Sequence, residues 1–580
     1  MSIGSMPRPV AAGLDALVRD RAQRTPQALA FRYVADSRDP DAPGNTLAVT
    51  CSALDTRASA VAAALRERAR PGDRVLLLHP HGPEYVASFL ACLYAGVVAV
   101  PANPPDSPAG AARVAAIVRD ARPALFATTA EYLGGYRGTV RRPDGAAVPG
   151  LATDTVDDAA AGGAPARSAT AGTTAFLQYT SGSTGDPRGV VVTHDNLLAN
   201  MAAMRDRFRL VPGDRQVSWL PPYHDMGLIL GILLPLCSGV DAVLSSPFEF
   251  MVDPLSWLEN LSRFGGTFSA APNFAYDLCV RKSTGERVAA LDLSAWRVAV
   301  NGAEPVRRAT IDRFGKRFAP AGFAAERLTP AYGLAEATLM VSGPDPGTGA
   351  RTTPLPDRAG PRPGEVVGVG RAVAATGVRI VAPDTLRTRP DGTEGEIWVR
   401  GPGVASGYWA RPEATAATFG ARPTDAPGTG PYLRTGDLGL LRDGELYVTG
   451  RIKDLLIVHG RNHYPQDVEE AVWNADPRLR PGCAAAFDTG PAEGDGPRLV
   501  AVAEYDGPPE GAAEAGAAAL RAVTRDCGLR LSELVLLRRR TVPKTSAGKI
   551  RRSAAREAYL RGGLDEIARV TVPGPRGSLG

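Results

Sequence analysis

Lysine is nearly missing from this chain: Lys282, Lys316, Lys453, Lys544 and Lys549 are the only ones in 580 residues, against 61 arginines. Where either cation serves, the chain has drifted to arginine, so a retained lysine marks a place that wants a compact ammonium and not a planar guanidinium. Three of the five stand after residue 450. Cysteine is also sparse. Cys51, Cys92, Cys237, Cys279, Cys483 and Cys527 form no CxxC pair and have no histidine at ligand spacing, which excludes a zinc framework and reads as buried thiols in a reducing cytoplasm. Residues 1–13 lack the apolar stretch of a signal peptide, so a cytoplasmic location is expected. The most apolar stretches, 86–102 and 226–244, are broken by Gly, Pro, Ser or Asp and fall short of the roughly 20 residues of a membrane span. With a net charge of +5 and no basic run longer than Arg538-Arg539-Arg540, a nucleic-acid partner is not indicated.

What is present fills more than one hydrophobic core, since 580 residues at 44% hydrophobic exceed a single one. Residues 74–78 read as strand, Pro83-Glu84 opens an apolar-faced helix to Ala95, Gly96 can end it, and 97–100 is strand again. That is a βαβ unit. The alternation recurs at 217–220, 228–236 and 241–244, which predicts an α/β fold of mostly parallel sheets covered by helices. Gly/Pro/Ala-rich stretches at 104–110, 158–172, 343–364, 421–431 and 489–497 read as loops. Asp443-Gly444 between strand-like 439–441 and 445–449 predicts a tight hairpin. Beyond it Tyr464-Pro465-Gln466-Asp467 opens a helix with proline in the first turn and Asp467, Glu469 and Glu470 at its positive end. The expected division is a large, multi-subdomain unit over 1–450 and a small, mobile α/β unit over 451–580, joined at 450–454.

The densest local signal is Gln178-Tyr179-Thr180-Ser181-Gly182-Ser183-Thr184-Gly185-Asp186-Pro187-Arg188-Gly189-Val190, a hydroxyl and glycine loop ahead of Val190-Val191-Val192. Glycines leave room for backbone N–H and side-chain O–H groups to converge on one small anion. Four residues after Gly182 stand Asp186-Pro187-Arg188 and not Gly-Lys-Ser or Gly-Lys-Thr, so an ordinary P-loop NTPase is excluded. Composition alone allows a solvated linker equally well. Gly368-Val369-Gly370 lacks the third glycine of a dinucleotide fingerprint.

Further motifs follow in order: Pro221-Pro222-Tyr223-His224-Asp225-Met226-Gly227, Asn301-Gly302-Ala303-Glu304-Pro305, Tyr332-Gly333-Leu334-Ala335-Glu336-Ala337-Thr338, Thr435-Gly436-Asp437-Leu438, Gly450-Arg451-Ile452-Lys453-Asp454 and Pro543-Lys544-Thr545-Ser546-Ala547-Gly548-Lys549. Taken singly, a Tyr-Gly pair is a turn and an Asp after Gly is a cap. Together, over nearly the whole chain, they resemble the adenylate-forming superfamily of acyl-CoA synthetases, adenylation domains and luciferases. Trp219-Leu220 before the second motif, Ala95-Gly96-Val97-Val98-Ala99-Val100-Pro101-Ala102, and Gly460-Arg461-Asn462-His463-Tyr464-Pro465 are most similar to the fatty acyl-AMP ligases within it.

The resemblance implies ATP and Mg²⁺ as cofactors, and a fatty acid made into acyl-AMP with release of pyrophosphate. The acyl group then goes to the phosphopantetheine thiol of an acyl carrier protein supplied in trans, in a lipid, polyketide or lipopeptide pathway. It implies that Thr180, Ser181, Gly182, Ser183, Thr184, Gly185 and Arg188 grip the β- and γ-phosphates. Glu336, with Thr184, is the implied metal ligand. Tyr332 and Gly333 with Gly302, Ala303 and Glu304 border adenine, and Asp437 and Arg451 hold the ribose. Lys549 is the implied catalytic lysine, with His224 and Glu336 beside the reacting groups and Lys453 at the hinge. Met226, Leu228, Ile229, Ile232 and Leu233 could line an acyl tunnel, though an apolar stripe is more often core.

Two departures stand out. The loop's usual lysine is Arg188, beside an added Asp186, which bears on ATP affinity. Residues 343–365 are shorter than the insertion that helps fatty acyl-AMP ligases refuse coenzyme A. A fatty acyl-CoA ligase therefore stays open as an alternative, as does an inactive homologue that binds nucleotide or acyl chains.

Overall fold

A computed structural model describes residues 13–162, 169–170, 172–180, 187–355, 365–458, 461–492, 495–545 and 548–571. Two large sheets carry the first half of the chain. In the six-stranded sheet, strands run in the order Gly150–Ala152, Leu125–Thr128, Arg74–Leu77, Val98–Pro101, Thr174–Thr180 and Arg188–Thr193, parallel except for the last pair. The seven-stranded sheet runs Leu328–Pro330, Val298–Gly302, Phe268–Pro272, Arg215–Ser218, Asp241–Ser245, Leu29–Val34 and Thr46–Thr50, again parallel up to an antiparallel edge. Buried Val, Ala, Leu and Phe on these strands face helices on both sides, the arrangement parallel sheets require.

Local chemistry explains the helices between them. Pro83–Ala95 starts with proline at its first turn and ends on Gly96 at φ 71°, whose N–H closes on Cys92 and Leu93 carbonyls. His194–Phe208 begins in a capping box, Thr193 and Asn196 bonding each other's backbone N–H. Met226–Leu233 is a π-helix, a form concentrated at functional sites. Gly227 lets it start there: a Cβ at this position would lie 2.0 Å from the Pro221 carbonyl oxygen.

An antiparallel sheet of Gly377–Val381, Gly395–Arg400, Leu433–Arg442 and Glu445–Arg451 follows, its last two strands joined through Asp443 and Gly444, both at positive φ. The C-terminal sheet has Leu479–Ala492, Asp495–Tyr505, Glu533–Leu537 and Glu566–Thr571, with its own core of Val468, Val472, Ala501, Ala519, Val523 and Leu536.

Three expected loops contain strand or α-helix, and a fourth, 158–172, opens with the 3-10 helix Asp158–Gly162. Residues 489–497 are the end of a long hairpin, with Pro491 opposite Pro497 and Ala492 opposite Asp495. Proline fits because Leu479–Ala492 is an edge strand and its partner meets the next strand only from Val500 onward. Within 104–110, Ser107 accepts the Gly110 N–H at 3.1 Å and caps a helix that begins at Pro108. Within 343–364, Thr352–Pro354 forms a strand pairing with Glu365–Val367, while 356–364 lie outside the described residues.

Candidate active site

The sheets and the C-terminal unit meet around a cavity of about 510 Å³. Of the residues expected at a nucleotide site, Thr180, Arg188, His224, Gly302, Ala303 and Tyr332 line it, and so do Gly333, Glu336, Arg451, Lys453 and Lys549. Ser181, Gly182, Ser183, Thr184 and Gly185 lie outside the described residues; Thr180 and Arg188, paired across two antiparallel strands, form the root of their loop.

Asp437 stands behind the wall as a shared acceptor. The Tyr332 hydroxyl donates to its Oδ2 at 2.8 Å and Arg451 Nε to its Oδ1 at 2.8 Å, and its own N–H is held by Thr435 Oγ1 at 3.1 Å. This ties the Tyr-Gly turn, the Thr-Gly-Asp strand and the end of Glu445–Arg451 into one unit.

Glu336 accepts a 2.9 Å hydrogen bond from the Tyr408 hydroxyl, and Arg188 stacks over the Tyr408 ring at 5.3 Å. Burial pushes the Glu336 carboxyl above its ordinary value; Tyr408 and Arg451 act against that rise. The backbone here is strained. Thr338 sits at φ 67°, ψ −59°, the centre of a γ-turn closed by Leu339 N–H on the Ala337 carbonyl at 2.8 Å. Thr338 Oγ1 donates to Gly403 O at 2.7 Å, and Asn200 pairs with the Met340 main chain, donating at 2.9 Å and accepting at 3.0 Å. The Ala405 N–H holds the Glu336 carbonyl at 2.9 Å.

A second strained residue, Ala303 at φ 66°, precedes Glu304, which accepts the Phe274 N–H. Burial raises Glu304 above the ordinary carboxyl range, against the pull of Arg307, Lys549 and Lys544.

His224 Nδ1 meets Asp225 Oδ1 at 2.7 Å, and the Met226 N–H donates to the same oxygen at 2.7 Å. The carboxylate favours a proton on Nδ1. Burial pushes Asp225 up, but His224, Lys549 and this N–H outweigh it and leave the carboxyl below its ordinary value.

Lys549 reaches the cavity from a tight loop. Its N–H donates to Thr545 Oγ1 at 3.1 Å, its carbonyl accepts from Thr545 N–H at 2.8 Å, and Gly548, at φ 81°, packs on the Phe274 ring. Burial lowers the ammonium below the ordinary lysine range and Arg451 lowers it further, while Asp225, Glu304 and Asp437 raise it. One side chain thus feels Asp225, Glu304 and Asp437 at once.

Of the apolar stripe, Met226 lines the cavity, joined by Leu230; Leu228, Ile229, Ile232 and Leu233 are core. Sequence reasoning missed Tyr408, Asn200 and Arg113. Only Asn200 carried a local signal, standing four residues after the capping Asn196 on the same helix face.

The AMP-binding enzyme family model matches residues 18–409. Long-chain-fatty-acid–AMP ligase FadD26 of Mycobacterium marinum is 40% identical over 96% of this chain and 98% of its own. The chain belongs to the fatty acyl-AMP ligases. Medium-chain-fatty-acid–[acyl-carrier-protein] ligase JamA of Moorena producens is also 40% identical, over 90% of this ligase and 92% of the relative. Among solved structures, the fatty acyl-adenylate ligase of Legionella pneumophila, in complex with acyl adenylate and pyrophosphate, is 36% identical, covers 98% of this ligase and 99% of that chain, and has a TM-score of 0.74.

Proposed function

We propose that this ligase joins a fatty acid to AMP and then passes the acyl group to the phosphopantetheine thiol of a separate acyl carrier protein. The observation that carries the reading is one cavity lined by Lys549, Asp225, His224, Tyr332, Glu336 and Arg451, with Asp437 held behind its wall by hydrogen bonds from Tyr332 and Arg451. A carboxylate oxygen attacks the α-phosphorus in line while the bond to pyrophosphate breaks, so anions must be brought together and held. Lys549 supplies positive charge where that charge gathers, and its burial strengthens the interaction. His224, held at Nδ1 by Asp225, orients the incoming carboxylate. Tyr332 and the 302–304 turn border adenine, and Asp437 with Arg451 receives the ribose hydroxyls. Thr180 and Arg188 root the loop that holds the β- and γ-phosphates, with Ser181, Gly182, Ser183, Thr184 and Gly185 completing it.

Mg²⁺ fits the donor set: Glu336, a carboxylate raised by burial, would hold it. When bound, the ion neutralises phosphate charge. The small unit over 451–580 turns about Lys453, exchanging the adenylation arrangement for one that admits the thiol. The thiol then attacks the acyl carbonyl and AMP leaves.

A second acceptor, coenzyme A, is favoured by one observation. Thr352–Pro354 pairs directly with Glu365–Val367, so the connection between them is short and leaves little chain for an element that screens out a soluble thiol. Among the described residues no helix is long and apolar enough to cross a membrane.

The test is product mass after incubation with Mg²⁺, ATP and fatty acids of graded length, with no acceptor, with coenzyme A, or with a phosphopantetheinylated carrier protein. Acyl-AMP converted only by the carrier is expected. Rapid acyl-CoA formation transfers the protein to the coenzyme A ligases, and absence of any adenylate refutes the reading.

A further inference from the structure

The turn that carries His224 hangs on side chains from the other large sheet. Pro221 and Pro222 bring no N–H to it, so it joins no strand ladder there and its carbonyls are satisfied one by one. Pro221 O accepts the His224 N–H at 3.1 Å and His224 O accepts the Leu228 N–H at 2.9 Å, both from within the segment. The carbonyls between them are held from outside. The Tyr85 hydroxyl donates to Pro222 O at 2.8 Å, and Gln178 Nε2 donates to Tyr223 O at 3.0 Å.

Both donors are buried. Tyr85 stands on the helix Pro83–Ala95 and Gln178 on the strand Thr174–Thr180, elements of the six-stranded sheet and its cover, whereas His224 follows Arg215–Ser218 of the seven-stranded sheet. Gln178 lines the cavity with Tyr223 and His224, on the same strand as Thr180 at the root of the hydroxyl loop. That strand is itself held at the next residue, where Arg113 Nη2 donates to the Tyr179 carbonyl at 3.2 Å.

Glutamine is a costly residue to place here. Its Oε1 is buried and has no partner among the described residues, so one end of the amide is desolvated without compensation. A methionine would fill the same space without that cost. What the glutamine contributes is the donor aimed at Tyr223 O.

We propose that Tyr85 and Gln178 are positioning residues for adenylation. They fix the main chain at Pro222 and Tyr223, and so set where the His224 ring meets the incoming carboxylate relative to the phosphates held from Thr180. The inference rests on the role given to His224 above.

The experiment is a double-mutant cycle on the full chain. Tyr85→Phe removes only a hydroxyl and Gln178→Met only the amide; each is made in wild type and in His224→Ala, and acyl-AMP formation is followed with ATP, Mg²⁺ and a fatty acid. In the wild-type background Gln178→Met should lower kcat/KM for the fatty acid by about tenfold and Tyr85→Phe by less, with the KM for ATP unchanged. In His224→Ala neither should lower the rate further, because the group they place is gone. Equal losses in both backgrounds overturn the proposal, since a general effect on the fold or a direct contact with substrate does not depend on His224. Wild-type rates in both single variants overturn it as well. Should Gln178→Met fold poorly, Tyr85→Phe carries the cycle alone. Failure of the underlying reading shows separately, as absence of adenylate from wild type or as an undiminished rate in His224→Ala, and either result refutes the inference with it.

Discussion

Arg552 grips Glu469 with two arms of its guanidinium, Nε to Oε1 at 2.7 Å and Nη2 to Oε2 at 2.8 Å. Its third arm reaches Asp454 Oδ2 at 2.7 Å. The helix that follows Lys549 is therefore bolted both to the helix Pro465–Asn474 and to the turn that holds Lys453. Glu469 is 2% exposed, so removing the arginine leaves a carboxylate without its charge partner in the core.

Arg552→Met should accordingly destabilise the C-terminal unit by about 3 kcal/mol, the range for breaking one side of a buried ion pair. Denaturant unfolding measures it. Glu469→Gln in the Arg552→Met background should restore part of the loss, because the orphaned charge is then gone. An unchanged midpoint in the single variant would show that the grip is energetically idle.

Lys549→Ala should lower the adenylation rate by about 100- to 1000-fold, comparable to removing one preorganised donor from a transition state. The wild-type rate should fall as pH rises through the lowered value of the Lys549 ammonium, below the ordinary 10.5, because the charged form is the useful one. Stability moves the other way. The unfolded chain keeps that proton to higher pH than the folded one, so between the two values the fold gains stability as pH rises. Pyrophosphate exchange against pH checks the rate, and it should lose its alkaline limb in the variant.

The gathering of the site was legible in part: Glu336 and Arg451 come from distant segments and line one cavity, with Asp437 bonded to Arg451 behind its wall. The supports were not legible. Nothing in Glu336-Ala337-Thr338 announces a γ-turn, since threonine has no preference for φ 67°, and the turn exists only because Gly403 and Asn200 hold it from elsewhere. Tyr408 reads as one more aromatic until its hydroxyl is found on Glu336. The hairpin at 489–497 was obscured by proline and glycine, whose breaker character applies to central strands and not to an edge. Alternation of strand and helix gave the large sheets because burial on both faces imposes it.

Tyr408→Phe removes the hydroxyl that stabilises ionised Glu336. Burial then acts with less opposition, so the carboxyl takes up its proton at a higher pH, and the acid limb of the Mg²⁺-dependent rate should move upward. The sign for stability is also fixed: the folded state holds this proton above the ordinary 4.5, so stability falls as pH rises from there through the raised value. Half-saturating Mg²⁺ should rise several-fold near pH 6 and less at pH 8. Equal Mg²⁺ requirement at both pH values in the variant would detach Tyr408 from the proposed role of Glu336 in holding the metal.

Gly548→Ala tests how tightly the Lys549 loop must fit. The glycine sits at φ 81°, where a Cβ costs about 1–2 kcal/mol, and that Cβ would lie 3.1 Å from the Phe274 ring. Both effects push the loop away from the cavity without touching the nucleotide or acyl contacts. The rate should fall by about tenfold while the KM values for ATP and fatty acid hold, the pattern expected when only transition-state placement suffers. Phe274→Leu, added to Gly548→Ala, separates the causes. Recovery of most of the rate assigns the loss to the ring contact, and no recovery assigns it to the backbone, because the positive φ remains whatever stands opposite.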